Sequence, residues 1–276
     1  QKMGEFKKIW VATVTLLAFA VCTVPGHVLA SNILKEIAAA STLEEIKKRG
    51  VLKVGFASFV PWAMVNSKGD LIGFEVEVAK KFAADSKWKI DQVKTQWDGI
   101  IPALLAGKFD LIIGGMSVMQ SRNQTVNFSI PYAHAAIGIA ASKTLAKGKS
   151  TLEDFNKKDV TLVVRRGSSN IPWMRETFPK ATQRYFDDDA QAFQEVMNGN
   201  AHAVVSAEPK PSLWSASYND VLFKPFGDTK FIPKPSAFAV RKGDHDFLNY
   251  LDNWIRVRTL DGWLPKRRNY WFATTE

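Results

Sequence analysis

Sulfur chemistry is nearly missing from this sequence. Its one cysteine, Cys22, lies inside an apolar N-terminal run, and downstream of that run no thiol is left for a disulfide, a metal site or a nucleophile. Histidine is thin as well. His134, His202 and His245 stand far apart, without the H-x-x-x-H spacing that puts two imidazoles on one helix face, so no metal site is expected. Gly148-Lys149-Ser150 looks like the end of a phosphate loop, but Lys143 occupies the place of the loop's first glycine and no buried strand leads into it. There is no internal repeat and no low-complexity tract. Nor is positive charge concentrated: the net charge is +10, yet the basic residues are scattered, with short clusters only at 47–49 and 266–268. A nucleic-acid partner needs a basic stripe or patch, so none is expected. No cofactor is implied.

What is present begins with a leader pattern. Lys2, Lys7 and Lys8 precede an apolar run over 9–24, then come a Pro25-Gly26 break and Val28-Leu29-Ala30. A basic start, an apolar stretch too short to span a bilayer comfortably and small residues at a cleavage point predict a secretory signal peptide over 1–30. A retained membrane anchor is the alternative. Phe19 and Val21 sit where a lipoprotein signal would carry a leucine and a small residue, so removal is expected over lipidation of Cys22. Export with a cysteine-free remainder points to a bacterial periplasm. Residues 31–41 form an Ala-rich extension with no expected role. With 276 residues, 46% of them hydrophobic, the chain can bury a substantial core, and its length suits two domains.

From residue 42 onwards helices and strands alternate. TLEEIKKR over 42–49 has a Thr cap followed by Glu45, and Gly50 stops the helix. A strand over 51–56, a loop carrying Phe59, Pro61 and Trp62, a helix over 73–82 and a strand over 90–95 come next. The stretch 97–132 is where these elements converge: a helix opening at Asp98, a buried strand over 109–114, a Gly114-Gly115 break and a polar segment with Ser117 and Arg122. A strand that ends in glycines lets backbone amides, a hydroxyl and a guanidinium approach one small anion together, which suits a carboxylate. After a linker over 143–150 the alternation resumes. Helices are expected over 151–156, 171–178 and 187–198, and strands over 160–164, 181–186 and 203–206, with Arg166-Gly167-Ser168-Ser169 as a turn of free amides at a helix start. Parallel strands with crossover helices place ligands beyond the strands' carboxyl ends, where Phe59, Trp97 and Ser117 fall. The expected fold is therefore α/β, with two Rossmann-like lobes joined by a two-segment hinge. Lobe one would comprise 42–133 and 231–276, and lobe two 134–230.

LEEIKKRGVLKVG, GFEVEVAKKFA, WDGIIPALLAGKFDLIIGGMSV, the SR and VNFSIPY after it, and the closing AVRKGDHDF and DGW resemble a known family. They are similar to the periplasmic solute-binding proteins of polar amino-acid ABC transporters, of type II periplasmic-binding topology, over residues 42–272. The resemblance implies that Arg122 clasps a ligand α-carboxylate beside Gly115, Met116 and Ser117, that Ser168 and Ser169 close from lobe two, and that Phe59 and Trp97 form aromatic walls. It also implies a small-molecule ligand, an ABC permease as partner and a monomer. The lobe-two aspartate that usually holds the α-ammonium maps to Ala207, with Glu208 next in line, and Met119 stands where threonine is common. Either Glu208 replaces the missing acid, or the ligand is a carboxylate without an ammonium; Arg165 would add a second cation and favour an anion. Two other readings share the scaffold. One is an enzyme resembling the cyclohexadienyl dehydratases, with Glu208 as general acid; the other is a receptor's sensor domain. No nucleophile stands with a base in the pattern, which favours binding without turnover.

Overall fold

The computed structural model describes residues 41–272. The expected leader over 1–30, and the extension up to residue 40, lie outside the described residues. The chain divides into a short unit ending at Glu45 and a main unit beginning at Ile46, and both sheets belong to the main unit.

Two sheets organise it. In the first, Lys89–Lys94, Val51–Phe56 and Leu111–Ile112 run parallel, and Ala239–Val240 and then Asn127–Phe128 continue the sheet, each antiparallel to its predecessor. Alternation along VLKVGF buries Leu52, Val54 and Phe56, which is the pattern of a strand covered by helices. Its crossover helix Phe74–Asp85 turns Phe74, Val78 and Phe82 inwards at helical spacing. A second core layer forms where Ile100 and Leu104 of the helix Ile100–Leu105 meet Phe109 and Ile112. The strand expected over 109–114 is regular only at Leu111–Ile112, because its flanks serve other purposes: Asp110 accepts a backbone hydrogen bond from Lys53 at 2.7 Å, and Gly114-Gly115 form a turn.

The second sheet has the order Leu222–Phe223, Ala133–Ser142, Ala203–Ala207, Thr161–Arg165, Thr182–Phe186. Its last three strands are mutually parallel, and Ala133–Ser142 is antiparallel to them. Phe155, Leu162, Val164, Phe178 and Val205 fill its core. Helix starts are chemically marked: Thr151 and Asp154 form a reciprocal capping box, and Asp188 accepts from Gln191 N at the start of Asp189–Met197. The helix Lys210–Ser217 is not among the expected elements, since Pro209 and Pro211 suggest a loop, but proline is tolerated in a first helical turn.

One boundary needs correction. Phe231–Ser236 pairs antiparallel with Ala133–Ser142 in the second sheet, so the return to the first sheet comes after Ser236 and not at residue 231. The reason is local: Ala133–Ser142 is ten residues long and leaves an edge that an extended FIPKPS run can pair with. The two segments that cross between the sheets thus lie side by side, with Ala133 opposite Ser236.

Candidate functional site

The first sheet delivers its side chains from the loops after its strands. Beyond Val51–Phe56 the chain makes a tight turn in which Phe59 and Ala63 exchange two backbone hydrogen bonds of 2.7 Å, and this fixes the backbone that carries the Phe59 ring. Beyond Leu111–Ile112 comes Gly115, with φ of 63°, beneath Trp62; a Cβ there would lie 3.0 Å from the indole. Only glycine combines that backbone angle with that approach. Trp62 itself is buried core, stacked edge-on against Phe74 and Phe272. Ser117 comes next, held by an isolated bridge to Ser236, with Val118 N donating to Pro235 O at 2.9 Å. Arg122 lies on the short helix Gln120–Asn123, and its Nη1 donates to Ser117 O at 2.9 Å.

The second sheet supplies charge. Arg165 ends the strand Thr161–Arg165 and is 7% exposed. Its guanidinium carbon stands 4.5 Å from the Trp97 ring centre and 4.9 Å from that of Phe59, a cation between two aromatic walls. Its Nη1 lies 3.3 Å from Asp189 Oδ2, and Lys210 Nζ lies 3.6 Å from the same oxygen. Ser206 Oγ donates to Asp189 Oδ1 at 2.8 Å. Burial pushes the Asp189 carboxyl up, but Arg165, Lys210 and Ser206 together hold it below its ordinary range. For Lys210, also 4.5 Å above the Phe59 ring, burial outweighs Asp189 and brings the ammonium down to about 8.

The two sets meet at Gly167. Its carbonyl accepts from Trp97 Nε1 at 3.2 Å and from Arg122 Nη2 at 2.9 Å, both across the space between the sheets. Its φ is 69°, and a Cβ would press on Asp98 at 3.2 to 3.3 Å, so the contact requires glycine. Ser169 Oγ donates to Ser117 Oγ at 3.2 Å, and Lys234 Nζ to Ser169 O at 2.5 Å. Behind these contacts is a chamber of about 20 Å³ lined by Phe59, Trp97, Ser117, Arg165, Asp189 and Ala207. Burial, then the nearby Arg165, lowers the Arg122 guanidinium to about 10; burial, then Arg122, lowers Lys234 to about 8. Arg165 and Lys210 beside Asp189, with Arg122 and Lys234 at the neighbouring carbonyls of Gly167 and Ser169, make a place for an anion. Among the described residues, no group of three or more His, Cys, Asp or Glu is arranged to hold a metal, and no helix is long and apolar enough to cross a membrane.

Residues 52–274 match the bacterial extracellular solute-binding proteins, family 3. The chain belongs to this family. It is similar to the L-cystine-binding protein TcyJ of Escherichia coli, 27% identical over 246 residues, which are 89% of this chain and 91% of that protein. It is also similar to the cyclohexadienyl dehydratase of Pseudomonas aeruginosa, 26% identical over 236 residues, 85% of this chain and 87% of that enzyme. Among solved structures, the ancestral amino acid-binding protein AncCDT-1, a precursor of cyclohexadienyl dehydratase, aligns with a TM-score of 0.77 at 38% identity, covering 84% of this chain and 100% of that one. The fold expected from the sequence is the fold of this family.

The expected site residues of this family member separate into three groups. Phe59, Trp97, Gly115, Ser117, Arg165, Ser168 and Ser169 line the chamber. Arg122 stands between the sheets beside it, in an adjoining crevice with Met119, Gly167 and Ser168. Met116 and Glu208 do not line it. Met116 is 1% exposed and packs into the first core with Ala57 and Phe109; only its carbonyl is engaged, accepting from Ala237 N at 3.1 Å. Glu208 lines a different cavity, with His134, Lys230 and Arg268; its carboxylate lies over Gly138 and accepts from Ser212 N at 3.3 Å, serving the first turn of Lys210–Ser217. Sequence reasoning does not single out Asp189, Lys210 or Lys234. In sequence Asp189 is one of three consecutive aspartates at a helix start, and nothing distinguishes the cap, Asp188, from the buried member.

Proposed function

We propose that this protein is an exported binding protein whose two lobes close over a small carboxylate, held through Arg122, and present the closed form to an ABC permease. The protein acts as a monomer and without chemical turnover. The observation that carries this reading is the double contact on Gly167: Arg122 and Trp97 of one half donate to a single carbonyl of the other. The residue that would clasp the carboxylate therefore also senses closure. Arginine has five N–H donors, and the carbonyls of Ser117 and Gly167 engage two nitrogens, so donors remain for a ligand. Adjacent antiparallel crossings at Ala133 and Ser236 suit a hinge between lobes. Names among the relatives, cystine-binding and amino acid-binding, support a small carboxylate-bearing solute.

The similarity to cyclohexadienyl dehydratase favours a second reading as an enzyme. It is the weaker one. A dehydratase needs a protonated acid at the leaving group, whereas Glu208 faces another cavity and Asp189, on the chamber wall, is held below its usual pKa by two cations.

Titration calorimetry with a panel of amino and carboxylic acids tests the proposal. Wild-type protein should bind at least one member at one site per chain without consuming it. Arg122→Ala should weaken that binding by about a hundredfold, the loss of two charge-assisted hydrogen bonds. Absence of heat with every member, or turnover of a cyclohexadienyl acid, would remove it.

A further inference from the structure

Three observations on the chamber wall concern charge. The first is Arg165, 7% exposed, whose Nε and Nη1 have no hydrogen-bond partner although Nη1 stands close to Asp189. Buried guanidinium donors without acceptors are unfavourable, and an oxygen anion entering the chamber is the group that would complete them. The second is the balance of signs: Arg165 and Lys210 share the buried carboxylate of Asp189, with Asp188 acting on both as a further acid, while Arg122 on Gly167 O and Lys234 on Ser169 O add two more cations at the edge. The third is the shortage of acceptors for an ammonium. Ala207 contributes a methyl group to the wall, the Glu208 carboxylate is turned to another cavity, and Asp189, whose Oδ1 receives Ser206 Oγ and whose Oδ2 has no hydrogen bond of its own, already faces two cations through that Oδ2. An ammonium brought here would lose water and gain mainly repulsion.

We propose that the ligand is a small dicarboxylate without an ammonium, with one carboxylate on Arg122 and its neighbouring donors and the other on Arg165. This deepens the carboxylate capture proposed above and rests on it. Both guanidiniums stand against the Trp97 indole, Arg122 at 5.7 Å and Arg165 at 4.5 Å from its centre, so a short diacid lying along that ring reaches both. A chamber of about 20 Å³ admits it only when the halves part or the Arg165 guanidinium withdraws from between Phe59 and Trp97. Withdrawal would carry the cation with the ligand's second carboxylate and leave the two rings as apolar walls for the carbon chain.

Matched ligands isolate each half of the idea. Titration calorimetry on the purified protein would compare glutarate with glutamate, which adds only the ammonium, and with pentanoate, which lacks the second carboxylate. Succinate, aspartate and butyrate repeat the comparison one carbon shorter. The diacid of at least one length should bind about tenfold or more tighter than both of its partners. Arg165→Met should bring the diacid to the monoacid's level, and Arg165→Lys, which keeps a charge but loses the fork, should fall between and serves if the first variant does not fold. Tighter binding of aspartate, glutamate or a neutral or cationic amino acid would overturn the dicarboxylate while leaving capture intact. No binding of any acid or amino acid would overturn both.

Discussion

Two buried acids, one in each half, show how differently the halves are built. Glu75, 1% exposed in the first turn of Phe74–Asp85, has neutral partners: Tyr132 Oη lies 2.7 Å from both of its oxygens and in turn accepts from Gly115 N at 3.2 Å. Burial raises its pKa to about 8, and the hydrogen bonds from Tyr132 and Gly115 offset only part of that. Asp189, 4% exposed, is as deeply buried, but two cations within 3.6 Å reverse the outcome and keep it ionised. At an effective dielectric of about 20, each such cation contributes roughly 4 kcal/mol of attraction, enough to offset the several kcal/mol that desolvation costs a carboxylate. Between these two acids, partner charge and not depth makes the difference. The half that supplies Phe59 and Trp97 keeps a neutral-partnered acid behind Gly115, and the half that supplies Arg165 carries a compensated ion cluster.

The same acid-to-amide change should therefore give opposite results in the two halves. Asp189→Asn keeps an acceptor for Ser206 but leaves Arg165 and Lys210 buried without their counter-ion, and should lower unfolding free energy by about 3 to 5 kcal/mol at neutral pH. Because Lys210 is already depressed to about 8, it can shed its proton in more alkaline solution, and the deficit should shrink there. Urea denaturation at neutral and alkaline pH measures both; a loss below about 1 kcal/mol would mean that the three charges are not coupled.

Glu75→Gln should change little below about pH 4.5 but raise stability near neutrality, since the amide imitates the protonated acid without having to take up a proton on folding. Its effect is on pH dependence. A folded pKa of about 8 against an ordinary 4.5 means that Glu75 contributes its full stabilisation below 4.5 and loses it progressively as pH rises to about 8. Wild-type stability should decline across that interval, and the glutamine variant should show a flatter profile. Asp189 has the opposite window: its contribution is present above the ordinary carboxylate pKa of 3.8 and is lost only as acid titrates the folded group. A wild-type profile with no decline between 4.5 and 8 would contradict the neutral environment assigned to Glu75.

The contrast between the halves also explains what is legible in the sequence. Alternation in VLKVGF, the helical spacing of GFEVEVAKKFA and the glycines after DLII are local signals, and they place Phe59, Trp97, Gly115, Ser117 and Arg122 where side-chain periodicity and turn chemistry put them. The ion cluster has no local signal. Arg165 ends one strand, Asp189 opens a helix beyond the next strand, and Lys210 follows a third, so only the parallel order of those strands brings them within 3.6 Å. Met116 departs from expectation for a related reason: it lies between two chamber residues, but its side chain points into the core packing around Phe109. Position beside a site residue does not fix the direction of a side chain.

Glu208 is a second such case and provides the smallest expected effect. It follows Ala207, a chamber residue, yet its carboxylate turns back over Gly138, where an added Cβ would lie 2.1 Å from Oε1. There it accepts from Ser212 N at the start of a helix, a role that glutamine's carbonyl oxygen can fill. Glu208→Gln should thus leave ligand affinity within about twofold and cost at most about 1 kcal/mol of stability, through the weaker charge at a helix start. Titration calorimetry with whichever acid binds wild type checks the first figure. A tenfold loss of affinity would show that the carboxylate swings into the chamber when ligand is bound, and would return Glu208 to the site from which its position at Gly138 now removes it.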